Sequence, residues 1–199
     1  MVSASFAAMS RICFAVLSLL ASLSVAACSS PSKVAEGPPD ACGTGGSDSG
    51  TCLGTPYVSC ADLTTPTVSF AKDIVPIFQP SCAIAGSTCH GTPDVVTTQM
   101  RPYLGSFDGG TDAAAVVQGL VGVMSPEDPN VMIVKAGDPA NSYMMHKLDG
   151  DQCTLASACA TGMTMYTDCG QQMPYSSPPL DDATRDIIRR WIAQGARNN

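Results

Sequence analysis

Cys82-Ala83-Ile84-Ala85-Gly86-Ser87-Thr88-Cys89-His90-Gly91 places two thiols with six residues between them and an imidazole directly after the second. Such a run allows a small loop closed by a disulfide, or a site in which both sulfurs hold one bound group and the imidazole meets it from the same side. Immediately before it, Phe70, Ile74, Ile77 and Phe78 recur at i, i+4, i+7 and i+8, the apolar stripe of an amphipathic helix. Ser69 and Asp73 are its candidate caps. Pro76 is tolerated only in a first turn, so the regular helix is expected to begin near Asp73.

Beyond the thiols, Ala113 to Val121 is a weaker helical run, and Val131 to Val134 reads as a short extended segment. Asn141 to Leu148 reads as a short helix stopped by Gly150. Residues 150–179 have little periodicity, and three cysteines are left to order them. The last helix is the clearest element. Asp181 and Asp182 open it, Ile187, Ile188, Trp191 and Ile192 form one apolar face, Arg189 and Arg190 lie in its later half, and Gly195 can close it. Acidic residues first and basic residues later complement the helix dipole. The fold class is mostly α, with long stapled loops.

The N-terminus has one basic residue, Arg11, followed by an uncharged apolar run from Ile12 to Val25. That is a secretory signal, too short to span a bilayer. The closing Val25-Ala26-Ala27-Cys28 resembles a lipobox, which implies cleavage after residue 27 and a lipid on Cys28. Ser29 stands where inner-membrane retention would favour Asp, so the same resemblance implies the outer membrane. The alternative is an ordinary signal that leaves a free thiol at the new terminus. The organisation expected is a signal peptide at 1–27, a Pro/Gly/Ser-rich tether at 28–66 and a folded domain at 67–199.

Loss of Arg11 with the signal leaves 9 basic against 17 acidic residues, a net charge of -8. Such a chain suits neither nucleic acid nor anionic lipid headgroups. Of the ten cysteines, Cys13 leaves with the signal and Cys28 takes the lipid. Cys42, Cys52 and Cys60 then lie in the tether, Cys82 and Cys89 in the centre, and Cys153, Cys159 and Cys169 in the late loop. An even set in an oxidising compartment reads as a disulfide framework. If the central pair closes on itself or on a cofactor, two triplets remain, and full pairing then requires at least one bridge from tether to late loop. The tether becomes a strap.

Cys89-His90-Gly91 is the second half of a c-type haem attachment site, where two thiols add to two vinyl groups and the following His reaches the iron. The usual spacing between the thiols is two residues; here it is six, and a longer loop can bulge out while both sulfurs still reach. Around it stand Phe70-Ala71-Lys72-Asp73-Ile74-Val75-Pro76-Ile77, Gly137-Asp138-Pro139 with Ser142, Met173-Pro174, and Ile188 with Trp191-Ile192 and Gly195-Ala196. In this order they resemble a c-type cytochrome domain of the lipoprotein branch, over about residues 67 to 199. The resemblance implies a small helical domain whose first and last helices cross beside one haem. Cys82 and Cys89 would hold the haem, His90 would be its proximal ligand and Met173 its distal one. It also implies an electron carrier that meets a redox partner protein at the membrane surface, with no small-molecule substrate.

Simpler roles exist for each residue. Cys82 and Cys89 can close on each other, making the chain a haem-free, disulfide-stapled surface module that binds another protein. His90 can be an ordinary loop residue, and Met173 a core filler. Met163, Met165 and His146 are rival distal ligands. A copper site of His, Met and Cys in the late loop is a third reading, without a tight cluster behind it. Two histidines assemble no Ser/His/Asp triad and no metal-His grouping of specific spacing, so no enzyme is expected.

Overall fold

The computed structural model describes residues 52–84, 89–93, 101–159 and 169–199. Cys28, the signal and the tether up to residue 51 lie outside them. All described residues belong to the unit Gly37–Asn199. Among them the regular elements are helices, and strand-like pairing is confined to two isolated bridges. None of these helices is long and apolar enough to cross a membrane.

Both candidate caps of the first helix are used. Ser69 Oγ accepts from Lys72 N–H at 3.4 Å, while Asp73 Oδ2 accepts from Ser69 N–H at 2.7 Å, a reciprocal arrangement. Helical structure begins at Phe70, earlier than the expected start near Asp73, because one π-helical turn, Phe70–Ile74, precedes α1 (Val75–Ser81). Pro76 explains the wide turn. It lacks an N–H and its ring crowds the carbonyl four residues back, and the chain relieves this with a bond from Val75 N–H to Phe70 O.

Of the remaining helices among the described residues, three fall where the sequence places them. α2 (Ala113–Leu120) is capped by Asp112, whose Oδ1 accepts from Ala114 and Ala115 N–H at 3.0 and 3.1 Å. The expected extended segment pairs through Val121 with Val134 and Met124 with Met132. α3 (Tyr143–Asp149) ends on Gly150 at φ 82°, a conformation that favours glycine. α4 (Ala156–Cys159) is a single turn in the late loop that periodicity did not indicate, and α5 (Asp182–Ala193) starts on Asp181, whose Oδ1 accepts from Thr184 N–H at 2.8 Å.

The core forms where the two ends of the domain meet. The Phe70 ring lies 5.1 Å from Trp191 and 6.3 Å, edge-on, from Phe78. Ile74, Ile188 and Ile192 are fully buried around them, with Met145 and Leu148 of α3 in the same cluster. Asn199 ties the ends by main chain and side chain, accepting from Ala71 N–H at 3.3 Å and from Phe70 N–H at 3.0 Å.

The bridge demanded by cysteine parity is present: Cys52 is bonded to Cys153, across a sequence separation of 101. Cys159 is bonded to Cys169, and Cys60 is also in a disulfide. Residues 52–66 are laid along the domain as a strap. Leu53 N–H donates to Gly150 O at 2.9 Å, Tyr57 N–H to Asp151 Oδ2 at 2.7 Å, and Gln194 Nε2 to the carbonyl of Pro66 at 2.9 Å. The Tyr57 ring covers two guanidinium groups, 4.7 Å from that of Arg185 and 5.0 Å from that of Arg189. Beneath them Arg189 Nη2 donates to both oxygens of Asp149, at 2.6 and 2.7 Å, and Arg185 Nη1 donates to one at 3.1 Å. Burial pushes the Asp149 carboxyl up, and the two guanidiniums restrain that rise. So Arg189, one of the basic residues in the later half of the last helix, is buried against a carboxylate from α3.

Candidate functional site

α1 delivers Cys82 at its C-terminal end, where the Cys82 N–H bonds back to Phe78 O at 2.8 Å. The chain then returns. His90 N–H donates to Cys82 O at 3.1 Å, closing the base of the loop that carries the two thiols. Gly91 packs so tightly here that a Cβ on it would stand 2.6 Å from Ala83 O, which only glycine avoids. The six residues between the cysteines therefore do not separate the ends of the run. The second thiol and its histidine come back beside the first.

Cys82 and Cys89 are both free thiols and both half-buried. Burial, reinforced by the charge of Cys89, pushes the Cys82 thiol up to about 12, so it stays protonated near neutral pH. Cys82 also packs against the main core.

His90 is held by its ring. Its Nδ1 lies 2.7 Å from the carbonyl oxygen of Pro102. A carbonyl only accepts, so Nδ1 carries the proton and Nε2 of the neutral ring keeps a lone pair. Burial lowers the His90 pKa, and the hydrogen bond to Pro102 opposes that shift only in part. An imidazole oriented through one nitrogen by a backbone carbonyl, with the other nitrogen unprotonated, is the usual state of a metal-binding histidine. Leu104 N–H, donating to His90 O at 3.0 Å, fixes the backbone as well. Two residues on, the buried Oγ1 of Thr92 has no hydrogen-bond partner, an orphaned polar atom beside the site.

Met173 stands on the late loop, its N–H donating to Lys147 O at 2.8 Å and its side chain packed, half-buried, on the same core as Cys82. The charge of Lys147 is also felt at His90. Cys82 and Met173 thus both pack on the main core, while His90 is held beside Cys82 by the loop base. His146 is drawn elsewhere: its Nδ1 is 2.8 Å from Asp151 Oδ1, and Asp151 in turn receives the strap through Tyr57. Met163, Met165 and Cys28 lie outside the described residues. An open cavity of about 360 Å³ flanks the Met173 segment, lined by Gln171, Gln172, Pro174 and residues 176–179.

Two free thiols at one loop base and an oriented imidazole beside them are donors that could hold a cofactor, whereas no group of three or more His, Cys, Asp or Glu side chains among the described residues could hold a bare metal ion. A copper site in the late loop finds no thiolate there, since Cys153, Cys159 and Cys169 are all disulfide-bonded. Sequence reading did not foresee the Pro102 acceptor, the Gly91 contact or Lys147. Gly91 had a local signal, a glycine directly after Cys-His; the other two depend on residues far along the chain.

No protein-family model, curated protein or solved structure matches this chain.

Proposed function

We propose that this chain is an exported, lipid-anchored electron carrier with a cytochrome c-like domain binding one haem. Cys82 and Cys89 would hold the haem through their sulfurs, and His90 Nε2 and Met173 Sδ would be the ligands of its iron. The observation that carries this reading is the state of the cysteines. Among the described residues Cys52, Cys60, Cys153, Cys159 and Cys169 are all disulfide-bonded, yet Cys82 and Cys89 remain thiols at the base of a closed loop beside an oriented imidazole.

The bound haem would supply an iron that gains and loses one electron. The protein's part is positioning and insulation. Pro102 keeps the His90 proton on Nδ1, so the ligand nitrogen needs no deprotonation, and the backbone bond at the loop base keeps His90 next to Cys82. The apolar core around Phe70, Phe78 and Trp191 keeps water away and helps set the potential. The lipid on Cys28 places the carrier at a membrane, the outer one by its Ser29, where a redox partner protein at the same surface exchanges electrons with it.

The test is expression of the full precursor in a host that matures c-type cytochromes, followed by intact mass and absorption spectra. The expected product is red, carries one covalent haem and one lipid, and loses the haem when Cys82 and Cys89 are both changed to Ser. A colourless protein with Cys82 bonded to Cys89, from a host that matures a control cytochrome, would favour the haem-free stapled module instead.

A further inference from the structure

We propose that Lys147 is the positioning residue of the second axial ligand, clamping the late loop so that Met173 is presented to the iron. This rests on the reading of Met173 as that ligand. Lys147 is only 7 % exposed, and a buried ammonium is costly unless its protons are used. They are spent on the loop: Nζ donates to Cys169 O at 2.6 Å and stands 3.4 Å from Glu127 Oε2. The carbonyl of the same residue accepts the Met173 N–H at 2.8 Å. One residue of α3 therefore grips the loop at positions 169 and 173.

Neighbours strengthen the grip. Gln172 Nε2 donates to Leu148 O at 3.1 Å, and Tyr143 OH donates to Glu127 and lies 3.3 Å from Cys169 O. The point being held is a strained one. Cys169 has φ 65°, unusual for a residue with a side chain, and Gly170 follows with φ 65°. These two residues set the direction in which the chain leaves the Cys159–Cys169 disulfide towards Met173. An apolar residue at position 147 would fill space more cheaply, but it would leave the Cys169 carbonyl without its charged donor.

The test compares wild type, Met173→Ala, Lys147→Met, Lys147→Arg and Tyr143→Phe in the full, haem-loaded protein, with exogenous imidazole as the probe that displaces a loosely held sixth ligand. Lys147→Met is expected to bind imidazole about tenfold more tightly than wild type, the factor a lost charge-assisted hydrogen bond supplies. Lys147→Arg, which keeps the donor, should stay within about threefold of wild type and Tyr143→Phe should move about threefold. A second readout needs no haem: amide exchange at Met173 is expected to quicken about tenfold in Lys147→Met protein.

If Met173→Ala leaves the sulfur-to-iron spectral signature unchanged, the ligand reading itself is wrong. If Met173→Ala abolishes that signature while Lys147→Met changes neither imidazole affinity nor Met173 exchange, the clamp is overturned. Should Lys147→Met fail to fold, Tyr143→Phe decides: unchanged imidazole affinity and unchanged exchange overturn the proposal.

Discussion

The strap and the thiol loop handle cysteine in opposite ways. Along residues 52–66, Cys52 and Cys60 are consumed in disulfides, and the tyrosine between them lies over a buried cluster of Arg185, Arg189 and Asp149. At residues 82–91 the backbone closes the loop through His90 N–H and Cys82 O, and the sulfurs are left as thiols. Both segments tie distant parts of the chain, but one does so through sulfur and the other through hydrogen bonds and a glycine contact. The difference teaches which cysteines are structural. Where the backbone already makes the closure, the thiols are available for something else.

The contrast breaks first at the strap. Replacing Cys52 and Cys153 together with Ser removes a link across a sequence separation of 101 and is expected to cost about 4 to 5 kcal/mol, read from the urea midpoint. A loss under about 1 kcal/mol would mean that the strap's hydrogen bonds suffice without the bond. Next comes Asp149→Ala, which removes the buried carboxylate that Arg185 and Arg189 share, leaves each only its partner three residues back, Asp182 or Asp186, and is expected to cost about 3 kcal/mol in thermal unfolding. A near-neutral result would place the strap's contribution in the disulfide alone.

The thiol loop should respond least. Cys89→Ser breaks no bond and is expected to shift stability by about 0.5 kcal/mol or less in protein made without haem. In the same protein Cys82 should resist iodoacetamide at pH 8.5, reacting at least about a hundredfold more slowly than free cysteine, because its thiol is pushed up to about 12. The sign follows for stability too. A thiol whose folded value lies above its ordinary 9.0 favours the fold fully below pH 9, and that contribution is lost as pH rises towards about 12. Rapid labelling of Cys82 would place it outside the buried environment described above.

Local signals carried most of the element map. The 3.6-residue stripe, Asp181 at the start of the last helix and Gly150 as a stop each act within a turn or two, which is why α3 and α5 are readable without coordinates, whereas the Asp112 cap of the weaker α2 came only with the structure. The first helix was readable in existence but not in start, since the π turn is a response to Pro76 that periodicity alone does not reveal. Parity of the cysteines foretold a bridge between tether and late loop, though not which residues make it.

The candidate site divides along the same line. Cys82, Cys89, His90 and Met173 were singled out as candidates by residue type and by the order of the motifs around them. Their surroundings were not legible: Pro102 meets the His90 ring across 12 positions and Glu127 meets Lys147 across 20. Lys147 carried no sequence signal of its own, and it is buried in the fold with its Nζ on the Cys169 carbonyl. Asp149 likewise drew no sequence signal, and it is α5 that brings Arg185 and Arg189 against it.

By itself, then, the sequence determined the main helices, the odd-triplet logic that makes a strap, and the four candidate residues Cys82, Cys89, His90 and Met173. Tertiary structure alone decided that Cys82 and Cys89 stay unpaired at one loop base, that His90 presents Nε2, and that Lys147 grips the loop of Met173. The reason is range. Caps, periodicity and spacing act between near neighbours in the chain, whereas the state of a thiol, an imidazole or a buried ammonium is set by whatever the fold brings within about 3 Å of it.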